Sequence, residues 1–272
     1  MRLAVSSLAW PPEADAAVAE TLRRCRVGGV ELAPTKVWPK PLEASEAAVR
    51  EYRRFWERHG LRVVALQAIL FGRPDLTVFE DEAKRAETID YLAGMCRLAG
   101  WLGAGVLVFG SPKNRLVGSL SPAQADTIAR DFFTRVGERA AKCDTAVCIE
   151  PNPVEYGCDF VTRTEDAARL VAAVNHPGFG LHGDAGGMAL SGDSPDLLTR
   201  YGRTLRHFHI SEPHLVPIGQ GGVDHTALAA ALQAGGYKRW VSIEMKPVVD
   251  MPLAAAVENA VRLAQRLYGL SA

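Results

Sequence analysis

The sequence predicts an α/β fold, a single (β/α)8 TIM barrel formed by residues 1–272 as one domain. Its length of 272 residues is usual for one such barrel, which takes roughly 250 residues. Short runs rich in Val, Ile and Leu alternate with longer helical stretches, as in parallel βα units. No long Pro-, Gly- or Ser-rich linker and no charge block divides the chain, so a second domain is not expected.

Eight apolar runs are predicted as strands, and a stretch with helical periodicity follows each of them. In chain order the runs are Leu3–Ser6, Gly29–Leu32, Arg62–Leu66, Gly105–Phe109, Ala146–Glu150, Gly178–Asp184, Leu205–Ile210 and Trp240–Glu244. A closed barrel is favoured over an open doubly wound sheet for two reasons. There are eight units, and no G-x-G-x-x-G motif follows the first strand.

Several of the helices carry start and stop signals. Ser121 and Gln124 have the spacing of a capping box, and Thr162–Glu165 follows the same pattern. Asp224 is expected to cap a helix that ends at Gly235. Only a short helix fits within Ser194–Tyr201.

The charge balance favours a small-molecule substrate over a polyanion. The chain has 31 Lys+Arg and 31 Asp+Glu, whereas binding to nucleic acid or an anionic membrane normally needs a basic excess. We therefore expect neither nucleic acid nor membrane as a partner. No apolar run approaches the roughly 18 residues of a membrane span. The five cysteines are scattered without a C-x-x-C pair, which favours a reducing cytoplasm as the location.

Four residues that can bind a metal stand at the ends of consecutive predicted strands. Strands five, six and eight end in Glu150, Asp184 and Glu244, and strand seven contains His209. Any one of them alone would more simply be a cap, an ion-paired residue or a core histidine. Because buried carboxylates without a partner are costly, three that converge need a cation. This oxygen-rich set suits Mn2+, Mg2+ or Co2+, with Zn2+ not excluded.

The sequence around these residues resembles the sugar phosphate isomerase/epimerase family, the xylose isomerase-like TIM barrels that include the ketose 3-epimerases. The motifs that carry the resemblance are Gly29–Leu32, Ile149–Pro153, Gly180–Asp184, His207–Ile210, Pro217–Asp224 and Val241–Glu244. The resemblance covers essentially the whole chain and is specific for the superfamily, but it does not identify the substrate.

The resemblance implies that one divalent metal ion is bound by Glu150, Asp184, His209 and Glu244. It also implies that Glu150 and Glu244 are catalytic, as the carboxylates that remove and return a proton next to a carbonyl. The expected enzyme is a metal-dependent isomerase or epimerase that acts on a keto sugar or related polyol through an enediolate. The resemblance further implies a homo-oligomer.

One departure from the family pattern leaves the reaction open. The family commonly has a histidine three residues after the aspartate of strand six, and here that position is Gly187. A lyase or dehydratase that acts on a keto-inositol-like compound at the same metal site is therefore an alternative. An apurinic endonuclease and a non-catalytic sugar-binding barrel are less favoured. The endonuclease needs more histidines on strands three and four, and a binding barrel has no need of a complete ligand set.

Seven further residues are predicted to contact the substrate. They lie near the predicted strand ends or in the loops that follow them, where structural pairing or solvation is the competing role. The residues are Gln67, Lys113, Arg115, Glu155, His182, His214 and Lys246. His182 lies two residues before Asp184 and so faces the same side of its strand, where it is a candidate to replace the missing histidine in part. Glu31, at the end of strand two, is a weaker candidate of the same kind.

Overall fold

A computed structural model describes residues 1–270 as a closed barrel of eight parallel strands, ordered β1 to β8 around the barrel. The strands are β1 (Arg2–Ser6), β2 (Gly29–Leu32), β3 (Arg62–Leu66), β4 (Val106–Phe109), β5 (Ala146–Ile149), β6 (Phe179–Asp184), β7 (Leu205–Ser211) and β8 (Trp240–Glu244). The barrel closes where β1 pairs with β8, which joins the first strand to the last. That closure supports our proposal that residues 1–272 form one domain.

Ten α-helices within residues 1–270 follow the strands and surround the barrel. They are α1 (Asp15–Arg24), α2 (Pro34–Val37), α3 (Glu46–Arg58), α4 (Glu82–Leu102), α5 (Pro122–Ala141), α6 (Thr164–Val174), α7 (Ala185–Ser191), α8 (Asp196–Tyr201), α9 (His225–Ala234) and α10 (Leu253–Tyr268). Among these residues, no helix combines the length and the apolarity that crossing a bilayer requires.

The predicted fold and all eight predicted strands are confirmed, and the strand boundaries differ by one residue or less. The capping box at Ser121 is also confirmed, as are the cap at Asp224 and the short helix α8. The second capping box is wrong. Arg163 precedes α6, and the carboxylate of Asp193, 30 residues further along the chain, accepts the N–H of Thr164 at 2.8 Å. A partner distant in the sequence has taken the place of the local cap.

Strand alternation divides the molecule into two apolar regions. The larger core lies between barrel and helices and contains Trp56, Phe132 and Phe208, all fully buried. A smaller cluster fills the inside of the barrel with small and medium side chains: Ala4, Val64, Ala65, Val106, Val108, Ala146 and Cys148, with Trp240 against them. Because inward-facing residues recur every second position, Cys148 and Glu150 share one face of their segment. The interior is therefore apolar towards the strand starts and polar at the strand ends.

Candidate active site and metal centre

Four side chains converge at the C-terminal end of the barrel. Glu150 directly follows β5, while Asp184, His209 and Glu244 come from β6, β7 and β8. Nδ1 of His209 lies 3.1 Å from Glu244 Oε2, 3.7 Å from Glu150 Oε1 and 3.8 Å from Asp184 Oδ2. One donor atom from each residue lies within 4.8 Å of the donors of the other three. This is the spacing of a candidate metal centre.

The three carboxylates repel one another in a buried place. Burial, together with the neighbouring Glu150 and Glu244, raises the pKa of Asp184 to about 7. Burial likewise raises the pKa of Glu244, although His209 opposes that effect. The charged forms of Asp184 and Glu244 are thus disfavoured without a cation. A divalent ion among them would remove the penalty.

His209 is oriented so that one ring nitrogen faces the carboxylates and the other is held from behind. Its Nε2 lies 3.1 Å from both carboxylate oxygens of Glu31. Its Nδ1 is buried and has no hydrogen-bond partner among residues 1–270. Because a carboxylate only accepts hydrogen bonds, Glu31 fixes the proton on Nε2 when the ring is neutral and leaves Nδ1 as a free donor atom for a metal. The residues present therefore fit a bound cation.

Glu31 is itself completely buried at the end of β2. Its carboxylate also lies 3.2 Å from Nε2 of His207. Burial would raise the pKa of Glu31, but His209 and His207 outweigh that effect and hold it well below the ordinary value. In turn, burial would lower the pKa of His209, whereas Glu31 and Glu244 raise it well above its usual range. Glu31 is thus an anion whose structural role is to orient two histidines.

Close backbone approach shapes the space around two of the carboxylates. A Cβ atom on Gly110, in the loop after β4, would collide with Oε2 of Glu150. The N–H of Gly187 donates to Oδ1 of Asp184 at 2.6 Å, and the hydroxyl of Ser211 donates to Oδ2. These contacts fix the direction in which Glu150 and Asp184 point.

A cavity of about 420 Å³ opens above the cluster and is the candidate substrate site. Glu150, Asp184 and Glu244 form part of its wall. The other lining residues are Leu8, Gln67, Ala68, Val108, Gly110, Ser111, Pro112, Asn152, Tyr156, His214, Leu215 and Lys246. The cavity has the size of pockets that hold small molecules, roughly 300–1,000 Å³.

Comparison with known protein families identifies the chain. Residues 20–267 match the family model of the xylose isomerase-like TIM barrels. The chain belongs to this family. No curated protein sequence gives a significant match.

Several solved protein structures share the fold at low sequence identity. D-psicose 3-epimerase from Clostridium cellulolyticum H10, solved with D-tagatose, gives a TM-score of 0.81 at 14% identity, covering 98% of this chain and 99% of that one. The 3-keto-D-glucoside 4-epimerase from E. coli gives 0.80 at 20% identity, covering 98% and 99%. The IolI protein, solved with a zinc atom, gives 0.79 at 20% identity, covering 99% and 98%.

Three of the predicted substrate contacts of this xylose isomerase-like barrel line the cavity. Gln67 is nearly buried and donates to the hydroxyl of Ser6, which holds its amide at the end of β3. His214 is exposed in the loop after β7, and Lys246 is exposed just beyond β8. These three side chains remain proposed substrate contacts.

The other four predicted contacts do not line the cavity. Arg115 is fully buried, and its guanidinium donates to the carbonyl oxygen of Glu150 at 2.8 Å, so it supports the wall from inside. His182 is also fully buried, with its ring centroid 4.2 Å from that of His209, beneath the candidate metal centre. Lys113 and Glu155 point to solvent. The roles of these four side chains as substrate contacts stay predictions, which the lining of the cavity does not support.

Asn152 and Tyr156 are polar lining residues that were not predicted from the sequence. Asn152 is buried, and its Oδ1 has no hydrogen-bond partner among the described residues 1–270. The hydroxyl of Tyr156 accepts the N–H of His214 at 2.9 Å, and burial raises the pKa of that hydroxyl. Asn152 lies two positions after Glu150, so its spacing could have indicated a shared face. Tyr156 lies in a loop and carries no such signal.

Strained backbone surrounds the same cavity. Four of its non-glycine residues have a positive φ: Ala68 (52°), Ser111 (26°), His214 (60°) and Leu215 (60°). Such conformations cost energy outside glycine and gather at sites where loops must present particular groups. The loops after β3, β4 and β7 therefore adopt energetically costly backbone conformations at the cavity wall. This supports the assignment of the cavity as the functional site.

Proposed function

We propose that the protein is a divalent-metal-dependent isomerase or epimerase that acts on a keto sugar or related polyol. The reaction is proton abstraction next to a carbonyl through an enediolate. The observation that carries this proposal is the buried Nδ1 of His209, which makes no hydrogen bond within residues 1–270 and faces three carboxylates at the floor of a small-molecule cavity. Membership of the xylose isomerase-like family supports it.

Glu150, Asp184, His209 and Glu244 would hold one metal ion, which we expect to be Mn2+, Mg2+ or Co2+, with Zn2+ as the alternative. When bound, such an ion supplies a positive charge that polarises the substrate carbonyl and makes the adjacent C–H more acidic. The hard oxygen donors favour the first three metals. The zinc atom in the IolI structure, which has the same fold, supports the alternative.

Glu150 and Glu244 are proposed to carry the proton. Both carboxylates line the cavity, and their strands are separated around the barrel by β6 and β7, so they reach the substrate from different sides. One carboxylate removes the proton next to the carbonyl, and the other returns a proton to the opposite face.

The remaining cavity wall is proposed to hold the substrate hydroxyls. Gln67, His214 and Lys246 contribute polar groups, and the free Oδ1 of Asn152 can accept a hydrogen bond from a hydroxyl. The partner is therefore a small sugar-like molecule, and neither nucleic acid nor a membrane is expected. We further propose a cytoplasmic enzyme that forms a homo-oligomer.

Lyase chemistry on the same enediolate is the second candidate because of one observation at Gly187. No side chain is available at that position, and a Cβ atom there would lie only 3.0 Å from Oδ1 of Asp184. The buried His182 does not take over, since its ring lies below the metal centre rather than on the cavity wall. A contact that the family commonly makes is thus missing.

Hydrogen exchange separates these reactions. The purified protein, loaded with Mn2+, is incubated in D2O with a panel of ketoses and with a keto-inositol, and the products are followed by NMR. Deuterium next to the carbonyl without loss of water supports an epimerase or isomerase, whereas water loss supports the lyase. If no compound exchanges its hydrogen and the protein nicks DNA that contains an abasic site, the proposed function is wrong.

A further inference from the structure

Five arginine side chains line a cavity of about 530 Å³ at the opposite end of the barrel. They are Arg2, Arg53, Arg62, Arg206 and Arg239. Arg2 and Arg62 are the first residues of β1 and β3, Arg239 directly precedes β8, and Arg206 is the second residue of β7. This cavity therefore opens at the strand starts, on the far side of the barrel from the metal centre. Glu57 is the single carboxylate in its lining.

Most of this positive charge is not neutralised within the described chain. Arg53 pairs with Glu57 at 2.7 Å, but Arg2, Arg62, Arg206 and Arg239 make no ion pair among residues 1–270. The guanidinium of Arg2 lies over the ring of Trp240, 4.3 Å from its centroid. Arg206 donates to the carbonyl oxygen of Pro177 at 2.9 Å. Four like charges around one concave opening attract an anion.

Glycine at position 180 makes room for this arrangement. A Cβ atom on Gly180 would collide with Cγ of Arg206, whose stem lies across β6. Gly180 does not have a positive φ, so its backbone conformation does not require glycine. The absent side chain is explained by the space that Arg206 occupies. The stem of Arg206 is thus packed against the barrel and does not lie free on the surface.

The size and chemistry of the cavity select the ligand class. Guanidinium groups bind phosphate oxygens in a bidentate manner, and the four arginines lie in or next to four different strands, so several phosphate groups suit the cavity better than one. The volume falls within the range of roughly 300–1,000 Å³ for small-molecule sites. Trp240, Val64 and Val106 add an apolar floor beside the charges. The zero net charge of the chain disfavours a long polyanion such as RNA.

We propose that this cavity binds a small molecule with two or more linked phosphate groups. Its phosphates lie among Arg2, Arg62, Arg206 and Arg239, and the ring of Trp240 contacts its uncharged part. The proposal is independent of the reaction at the metal centre, because the two sites share no lining residue.

The test is isothermal titration of the metal-free full chain with inorganic pyrophosphate at low ionic strength, with orthophosphate titrated in parallel. We expect one pyrophosphate per chain, bound at least about tenfold more tightly than orthophosphate, as charge-assisted contacts to several arginines require. Replacing Arg62 and Arg239 by Gln should weaken pyrophosphate binding at least about tenfold. Arg130→Gln removes the same kind of charge from α5, outside the cavity, and should leave binding unchanged.

Thermal unfolding verifies that the double variant is folded, which is expected because Arg62 and Arg239 are exposed. If the double variant does not fold, the single variants Arg62→Gln and Arg239→Gln are measured instead, and each should weaken pyrophosphate binding. Absence of saturable binding, equal affinity for orthophosphate or an equal loss in Arg130→Gln would overturn the proposal.

Discussion

The two ends of the barrel carry opposite charge. At the strand ends, Glu150, Asp184 and Glu244 surround one imidazole, whereas at the strand starts five arginines line a cavity that contains a single carboxylate. The chain as a whole has equal numbers of basic and acidic residues. The net charge of zero is therefore a sum over the chain, within which acidic and basic side chains gather at opposite ends of the barrel. Each end should bind a ligand of the opposite charge, a cation at the acidic end and an anion at the basic end, and should not respond to the ligand of the other end.

The largest effect is expected from Glu150→Gln at the acidic end. The substitution removes both a proposed metal donor and a proposed base, so kcat/KM should fall by roughly 10²–10⁴-fold or more. The matched control is Glu155→Gln, an exposed carboxylate five positions along the chain that does not line the cavity. Steady-state kinetics on the ketose identified by exchange provide the measurement. Equal activity of the two variants would contradict the proposed role of Glu150.

Metal removal should lower the free energy of unfolding. Substitutions at the acidic end should change the size of this loss, and substitutions among the arginines should not. A ligand present at 100 times its dissociation constant stabilises the native state by about 2.7 kcal/mol. For a chain of this size that corresponds to a rise in Tm of roughly 5–10 °C. Differential scanning calorimetry of chelator-treated protein with and without Mn2+ measures the shift, which Glu150→Gln should reduce and Arg62→Gln should not. A shift that is unchanged in Glu150→Gln would place the metal elsewhere.

Glu31→Gln should weaken the metal centre without removing a ligand. The amide can no longer hold the imidazole of His209 as an anion does, and the loss of such a supporting contact typically lowers metal affinity about 10–100-fold. The absorption spectrum of bound Co2+ reports the altered coordination directly. His207→Asn removes the other neighbour of Glu31 and should change Co2+ affinity less. If His207→Asn lowered the Co2+ affinity more than Glu31→Gln did, the proposed role of Glu31 in holding His209 at the metal centre would be contradicted.

The smallest effects are expected from a matched pair of glycine substitutions, one at each end. Gly110→Ala should displace Glu150 and lower kcat/KM by about tenfold, because small misplacements at a reacting centre are costly. Gly180→Ala should displace Arg206 and weaken pyrophosphate binding several-fold, with little change in kcat/KM. Measuring both quantities in both variants shows whether the two ends are separate. Equal loss of activity in both would show that they are coupled.

Local patterns in the sequence predicted much of the fold and the centre of the site. The eight strands follow from apolar runs between helical stretches, and Glu150, Asp184 and Glu244 each follow such a run directly. Parallel strands in a barrel all end at the same face, so the convergence of these carboxylates needs no knowledge of the loops. The substrate contacts in the loops were harder to predict from the sequence. A loop residue such as Arg115 has no periodicity that indicates whether its side chain faces the cavity or the protein interior.

The sequence by itself determined the barrel and the order of its acidic strand ends, because both depend on short-range alternation and on chain direction. Only the tertiary structure decided what lies behind and opposite them. Glu31 contacts His209 across 178 positions, and the arginines of β1, β3, β7 and β8 meet only when the barrel closes. Contacts between residues so far apart in the chain leave no local pattern, so they become visible only in the folded molecule.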